Sequence, residues 1–164
     1  MGLGLVATLI LLAGLVDDLR SRKVHNSLIV SMIPPVLMAS FYFRGWDGVA
    51  IGIGAALLAL IATIPLFSVR ILGGGDVKLF AVFALCVDPQ NMFSTLLYSL
   101  FWGALFGLTR ATLQKQLLAL VKNTYKASRG QRLQVQELHK IPYTFALLLG
   151  WLTQISVLRA GGLL

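Results

Sequence analysis

Apolar positions along this chain do not alternate with polar ones; they gather into long runs broken by short polar stretches. The runs lie near 1–16, 27–43, 48–67, 77–92, 93–112 and 141–159. Runs of this length match the hydrocarbon thickness of a bilayer, and they predict an all-α, polytopic transmembrane helical bundle with six spans. The fourth run is cut short by Asp88-Pro89-Gln90-Asn91. At about 1.5 Å per residue the first and fourth spans cross only about 24 Å, so they call for tilt or a thinned bilayer. Asp17-Asp18-Leu19-Arg20 follows the first run where a signal peptide would carry small residues, and no basic stretch precedes it, so the run reads as a span.

Composition agrees with the pattern. The chain is 57% hydrophobic and 12% charged, with a mean hydropathy of +0.83, about half the charged fraction of a soluble domain. The net charge of +8 does not indicate a nucleic-acid partner, because the bases sit between apolar runs. Twelve of the Lys and Arg residues fall on one side of a six-span topology, and only Arg44 and Arg159 on the other. The positive-inside rule then puts both termini on the non-cytoplasmic side. Three loops, at 17–26, 68–76 and 113–140, face the cytoplasm. The long one contains LQKQLLALVKNTYK, which reads either as an interfacial helix on anionic headgroups or as a plain connector. The single cysteine, Cys86, excludes an internal disulfide and a tetracysteine zinc site; a small apolar side chain within a span accounts for it.

Six acids in 164 residues are few enough to place one by one. Asp17 and Asp18 close the first span, and Asp76 opens the fourth. Two crossings separate them, so all three share the cytoplasmic face, while Asp47 and Asp88 fall opposite and Glu137 lies in the long basic loop. Two carboxylates on different helix ends can act on one water. Close together they share a proton, the ionised one accepting from water while the neutral one polarises a carbonyl. Gly73, Gly74 and Gly75 before Asp76 admit close backbone approach and positive φ, leaving room for an extended substrate. Lys78 is placed either to tune Asp76 by its charge or to snorkel at the span end.

With those residues in view, the chain resembles the type IV prepilin peptidases. Gly73-Gly74-Gly75-Asp76 fits the GxGD signature of membrane aspartyl proteases, and Val77-Lys78-Leu79 extends it. Asp18-Leu19-Arg20 with the basic residues after it is similar to the family's first-aspartate block, and Ile141-Pro142-Tyr143 to its third block. The resemblance implies one integral membrane aspartyl peptidase domain over 1–164 in the cytoplasmic (inner) membrane. It would remove basic leaders from pilin-like precursors, with Asp18 and Asp76 catalytic, Gly73, Gly74, Gly75 and Lys78 supporting, and neither metal nor cofactor. The partners implied are pilin-like precursors and the lipid bilayer, with a homo-oligomer left open. Asp17 is an extra acid, about 100° around the helix from Asp18. His25 stands where the family has a proline, and a histidine does not by itself fix the entry to the second span. With no paired cysteines, the chain is similar to the short, peptidase-only type.

Three alternatives remain at this stage: an archaeal-type preflagellin peptidase, a Mg-dependent membrane transferase, and a non-catalytic secretion-assembly subunit. Presenilin-like proteases pair GxGD with Tyr-Asp and Pro-Ala-Leu blocks that are absent here. Trp46, Trp102 and Trp151 read as interface anchors or lipid-facing bulk. Gly103 and Gly107 permit close helix packing, and Pro34, Pro35 and Pro65 predict kinks.

Overall fold

A computed structural model describes residues 2–21, 23–69, 71–113 and 143–161. These residues form five helices: α1 Gly2–Ser21, α2 Asn26–Ser68, α3 Gly74–Ala84, α4 Pro89–Leu113 and α5 Tyr143–Ala160. No strand occurs among the described residues. Three helices are long and apolar enough to cross a membrane: Gly2–Ser21, Asn26–Ser68 and Pro89–Thr109. The expected interfacial segment at 113–140 lies almost wholly outside the described residues.

α2 contains both the second and the third expected runs. Of its residues, Gly45 leaves the helical region, at φ 67° and ψ −159°, a conformation glycine reaches without the steric penalty of a Cβ. The break therefore falls at glycine and not at Pro34, Pro35 or Pro65. It folds α2 into two arms, 26–44 and 46–68, that run back along each other beside α3. Ser40 on the first arm donates to the carbonyl of Leu85 at 2.9 Å, and Gly52 on the second arm lies against that same carbonyl. At the other end of α3, Asn26 of the first arm accepts from Lys78 and Phe67 of the second approaches Gly74. The chain thus returns to the end it left, which brings the close of α1 and the start of α3 together.

The fourth expected span, 77–92, differs from the structure. α3 has 11 residues, about 16 Å of helix, and α4 already begins at Pro89. A rigid φ and a missing N–H make proline a natural first residue for α4. α3 can be short because it is buried among helices rather than set against lipid. Leu79, Phe80 and Phe83 are almost fully enclosed, with Phe80 stacked on Phe83 at 5.6 Å and Phe83 edge-on to Trp151 at 5.1 Å. Such aromatic pairs add about 0.5–1.5 kcal/mol each beyond their buried area.

α5 is held between α1 and α4. A Cβ on Gly150 would lie 2.7 Å from the Ser99 nitrogen and 2.8 Å from the Thr95 oxygen, so that crossing tolerates only glycine. Polar ties reinforce it. Trp151 donates to Thr8 at 2.9 Å, Trp102 to Thr153 at 3.1 Å, and Gln154 to Asn91 at 2.9 Å. Trp151 is accordingly a buried core residue and not an interface anchor, whereas Trp46 is exposed. Of the Gly-x-x-x-Gly pair, Gly103 packs on Tyr143 and Ala146, and Gly107 meets nothing. Cys86 is buried, as its apolar reading requires.

Candidate active site

α1 ends with two consecutive acids that separate as the helical pitch demands. Asp18 turns inward and is buried; the Thr144 hydroxyl, in the first turn of α5, donates to its Oδ2 at 2.8 Å. Asp17 is half-buried on the other flank, where His25 holds it. The His25 backbone N–H donates to Asp17 Oδ2 at 2.7 Å, and its ring Nδ1 lies 3.0 and 3.1 Å from the two carboxylate oxygens.

This pairing corrects the expectation for His25. As N-cap of α2 it has φ −73°, within the range a proline would impose. It also supplies an N–H that proline lacks, and Asp17 accepts it. The entry to α2 is therefore fixed by a hydrogen bond in place of a ring. The next residue continues the strap: Lys78 Nζ donates to Asn26 Oδ1 at 2.9 Å, joining the start of α2 to α3. The preceding residue, Val24, packs against Gly75, where an added Cβ would come within 3.1 Å of the valine Cβ.

None of the three glycines takes a left-handed turn, and Gly75 is the one that serves close packing. The one positive-φ glycine among the described residues is Gly45. Gly73 is the extended N-cap of α3, at φ −78° and ψ 152°, while Gly74 and Gly75 form its first turn with Asp76. The Gly73 N–H donates to Asp76 Oδ2 at 3.2 Å, the carboxylate half of a capping box. Gly75 admits the Val24 strap.

Asp76 occupies the first turn of α3, outside the three spanning helices. Its carboxyl is pushed up to about 7, mainly by burial and secondly by the negative charge of Asp18; the Gly73 N–H acts in the opposite direction. An acid at a helix N-terminus is ordinarily stabilised in its ionised form, by up to about 1 kcal/mol at exposed sites. Desolvation and a like charge outweigh that effect here. Lys78 is not among the groups that move Asp76; its ammonium serves Asn26. Asp18 and Asp76 are thus brought together electrostatically, and Asp17 is drawn aside by His25. Among the described residues no three His, Cys, Asp or Glu side chains gather as metal ligands would.

Beside this end lies an apolar cavity of about 340 Å³, lined by Ile71, Leu100, Gly103, Ala104 and Tyr143. Ser99 and Tyr143 share a hydrogen bond at 2.9 Å. Sequence reasoning missed Thr144 and the His25-Asn26 strap. Thr144 follows directly on the Ile141-Pro142-Tyr143 block, and that adjacency was the available signal.

The described residues build an apolar, helical bundle that sets two acids at neighbouring helix ends. Residues 5–108 match the type IV leader peptidase family, and the chain belongs to that family. It is a peptidase, and its membrane-length helices agree with a membrane protein. No curated protein and no solved structure matches the chain.

Proposed function

We propose that the chain is an aspartyl endopeptidase that removes leaders from prepilin-like precursors, with Asp18 and Asp76 as its acid pair. The observation that carries this reading is the meeting of the ends of α1 and α3 in a chain of the type IV leader peptidase family: Asp18 is buried there on a neutral donor, and Asp76 opens α3 on another; burial and the charge of Asp18 push the Asp76 carboxyl up. Two neighbouring acids that share one proton can divide general-acid and general-base work. In the cycle, ionised Asp18 takes a proton from water as the oxygen attacks the scissile carbonyl. Neutral Asp76 hydrogen-bonds that carbonyl oxygen and stabilises the negative charge that develops on it. The tetrahedral intermediate collapses as the leaving amine accepts a proton from the pair, and the C–N bond breaks. Water supplies one proton to the amine and hydroxyl to the new carboxyl, so the pair returns to its starting protonation state.

A topology that sets the end of α1 and the start of α3 on the cytoplasmic side would put the acid pair and most of the basic residues on that face of the inner membrane. A precursor's basic leader would then meet the pair from the cytoplasm while its apolar helix stays in the bilayer. Gly75 supports the site by letting the strap and α3 close upon each other, Gly73 by donating its N–H to Asp76, Gly74 as part of the first turn, and Lys78 through Asn26.

The test uses membrane vesicles and a precursor with a basic leader ahead of an apolar helix. Asp18→Asn and Asp76→Asn should each leave the precursor whole, while Asp17→Asn cuts it at a reduced rate. Full cutting by the Asp18 and Asp76 variants would sink the peptidase mechanism. Loss of cutting in a chelator, restored by Mg²⁺, would instead favour a metal enzyme.

A further inference from the structure

We infer that Thr144 is a positioning residue of the acid pair, its hydroxyl occupying Oδ2 of Asp18 so that Oδ1 is left to act on water. The inference rests on the acid pair proposed above and deepens it.

A threonine in an apolar helix ordinarily returns its hydroxyl to its own backbone. Thr8, Thr63, Thr95 and Thr153 do so, donating to carbonyls four residues earlier at 2.6–2.8 Å. Thr144 departs from that pattern. It is fully buried, and its hydroxyl crosses from α5 to a carboxylate on α1, 126 residues away in sequence. A hydroxyl has one proton to give, and while it gives that proton to Oδ2 this oxygen accepts and does not carry the proton the pair shares. Oδ1 is thereby the oxygen left to exchange a proton with water, and the carboxylate is held in one orientation for that step.

The surrounding charged and titratable groups do not compete for that role. On α1, Asp17 is bonded to His25 and Arg20 lies in the exposed last turn. On the strap and α3, His25 serves Asp17 and Lys78 serves Asn26. On α5, the Tyr143 hydroxyl is bonded to Ser99. Lys23, just before the strap, is exposed. Among the described residues, Asp76 is the acid whose charge is coupled to that of Asp18.

Three Thr144 variants and the two Asp→Asn variants are compared in vesicles on the same precursor. Thr144→Val should lower kcat roughly 10- to 100-fold, the effect expected for one hydrogen bond to a charged group, with KM changed less than about twofold. Its acidic limb in kcat/KM should move to higher pH, because the base has lost a donor to its ionised form. Thr144→Ser should restore both the rate and the limb. Thr144→Ala, which introduces no added bulk, should repeat the loss if the valine variant does not accumulate folded. Wild-type pH limbs in the valine and alanine variants, a change in KM alone, or equal losses with serine and valine would overturn the positioning role. In those cases silent Asp18→Asn and Asp76→Asn variants would show that the acid pair itself stands. Cutting by the two Asp→Asn variants would overturn both.

Discussion

The two ends of the bundle treat their aspartates in opposite ways. At one end Asp88 is met by Arg44, whose Nη1 and Nη2 donate to its two oxygens at 2.8 and 3.3 Å. At the other, Asp18 and Asp76 form no salt bridge among the described residues; a threonine hydroxyl and a glycine N–H are their partners. A guanidinium would hold a carboxylate ionised throughout the physiological range and end its use as an acid. Neutral donors fix the position of a carboxylate and still allow it to take up a proton. The end with the weaker partners is therefore the end suited to proton transfer. Asp17 repeats the lesson one residue from Asp18, since a histidine beside the strap engages it instead.

The largest effect expected from this contrast is on catalysis. Asp18→Asn or Asp76→Asn should lower kcat/KM by about 10²–10⁴-fold or more, read as cut precursor over time. The pH dependence sharpens the assignment. If Asp76 must be protonated, kcat/KM should fall as pH rises through about 7, approaching tenfold per pH unit above it, as a pH–rate profile would record. A flat profile to pH 9 would remove Asp76 from the acid role.

The substitution that abolishes activity at Asp76 should raise stability. The folded-state affinity of Asp76 for its proton exceeds the unfolded value, so stability falls as pH rises from about 4 to 7, where only the unfolded chain releases the proton. Asp76→Asn removes that loss. Its Tm should exceed that of the native chain at pH 8 by about 2–4 °C per kcal/mol recovered, and the gap should close near pH 4. The smallest effect belongs to the opposite end. Arg44→Ala and Asp88→Asn each disturb a partly exposed ion pair worth about 0–1 kcal/mol. They should shift thermal unfolding slightly and leave cleavage unchanged.

Much of this was legible in the chain, for identifiable reasons. Apolar runs report helices because the bilayer demands them, and α1, both arms of α2, α4 and α5 follow the runs closely. Gly73-Gly74-Gly75-Asp76 marked the start of α3, since a cap and a first-turn acid are local signals. The length of α3 was not legible: an apolar run reads alike whether it faces lipid or protein. The Thr144–Asp18 bond was hidden because hydroxyl and carboxylate meet only after the chain has folded. The role of His25 was misread because residue type predicts φ less well than the partner its N–H finds. Of the two uses expected of the glycines, close approach is met at Gly75 against Val24, and positive φ is met at none of the three.

The bend at Gly45 has a consequence for how the chain reaches the membrane at all. Between Asn26 and Ser68 the charged residues are Arg44 and Asp47, both at the tip of the folded pair of arms. Moving a single charge through a membrane interior costs about 2.5–3.5 kcal/mol on insertion scales. At this tip the two charges are opposite and sum to zero, so no excess of positive charge holds it back. Arms that fold on one glycine can enter as a helical hairpin, with both charges left at its tip. Arg44 closes on Asp88, which lies beyond α3 in the chain, so the same pair of charges also ties the tip of the arms to the start of α4.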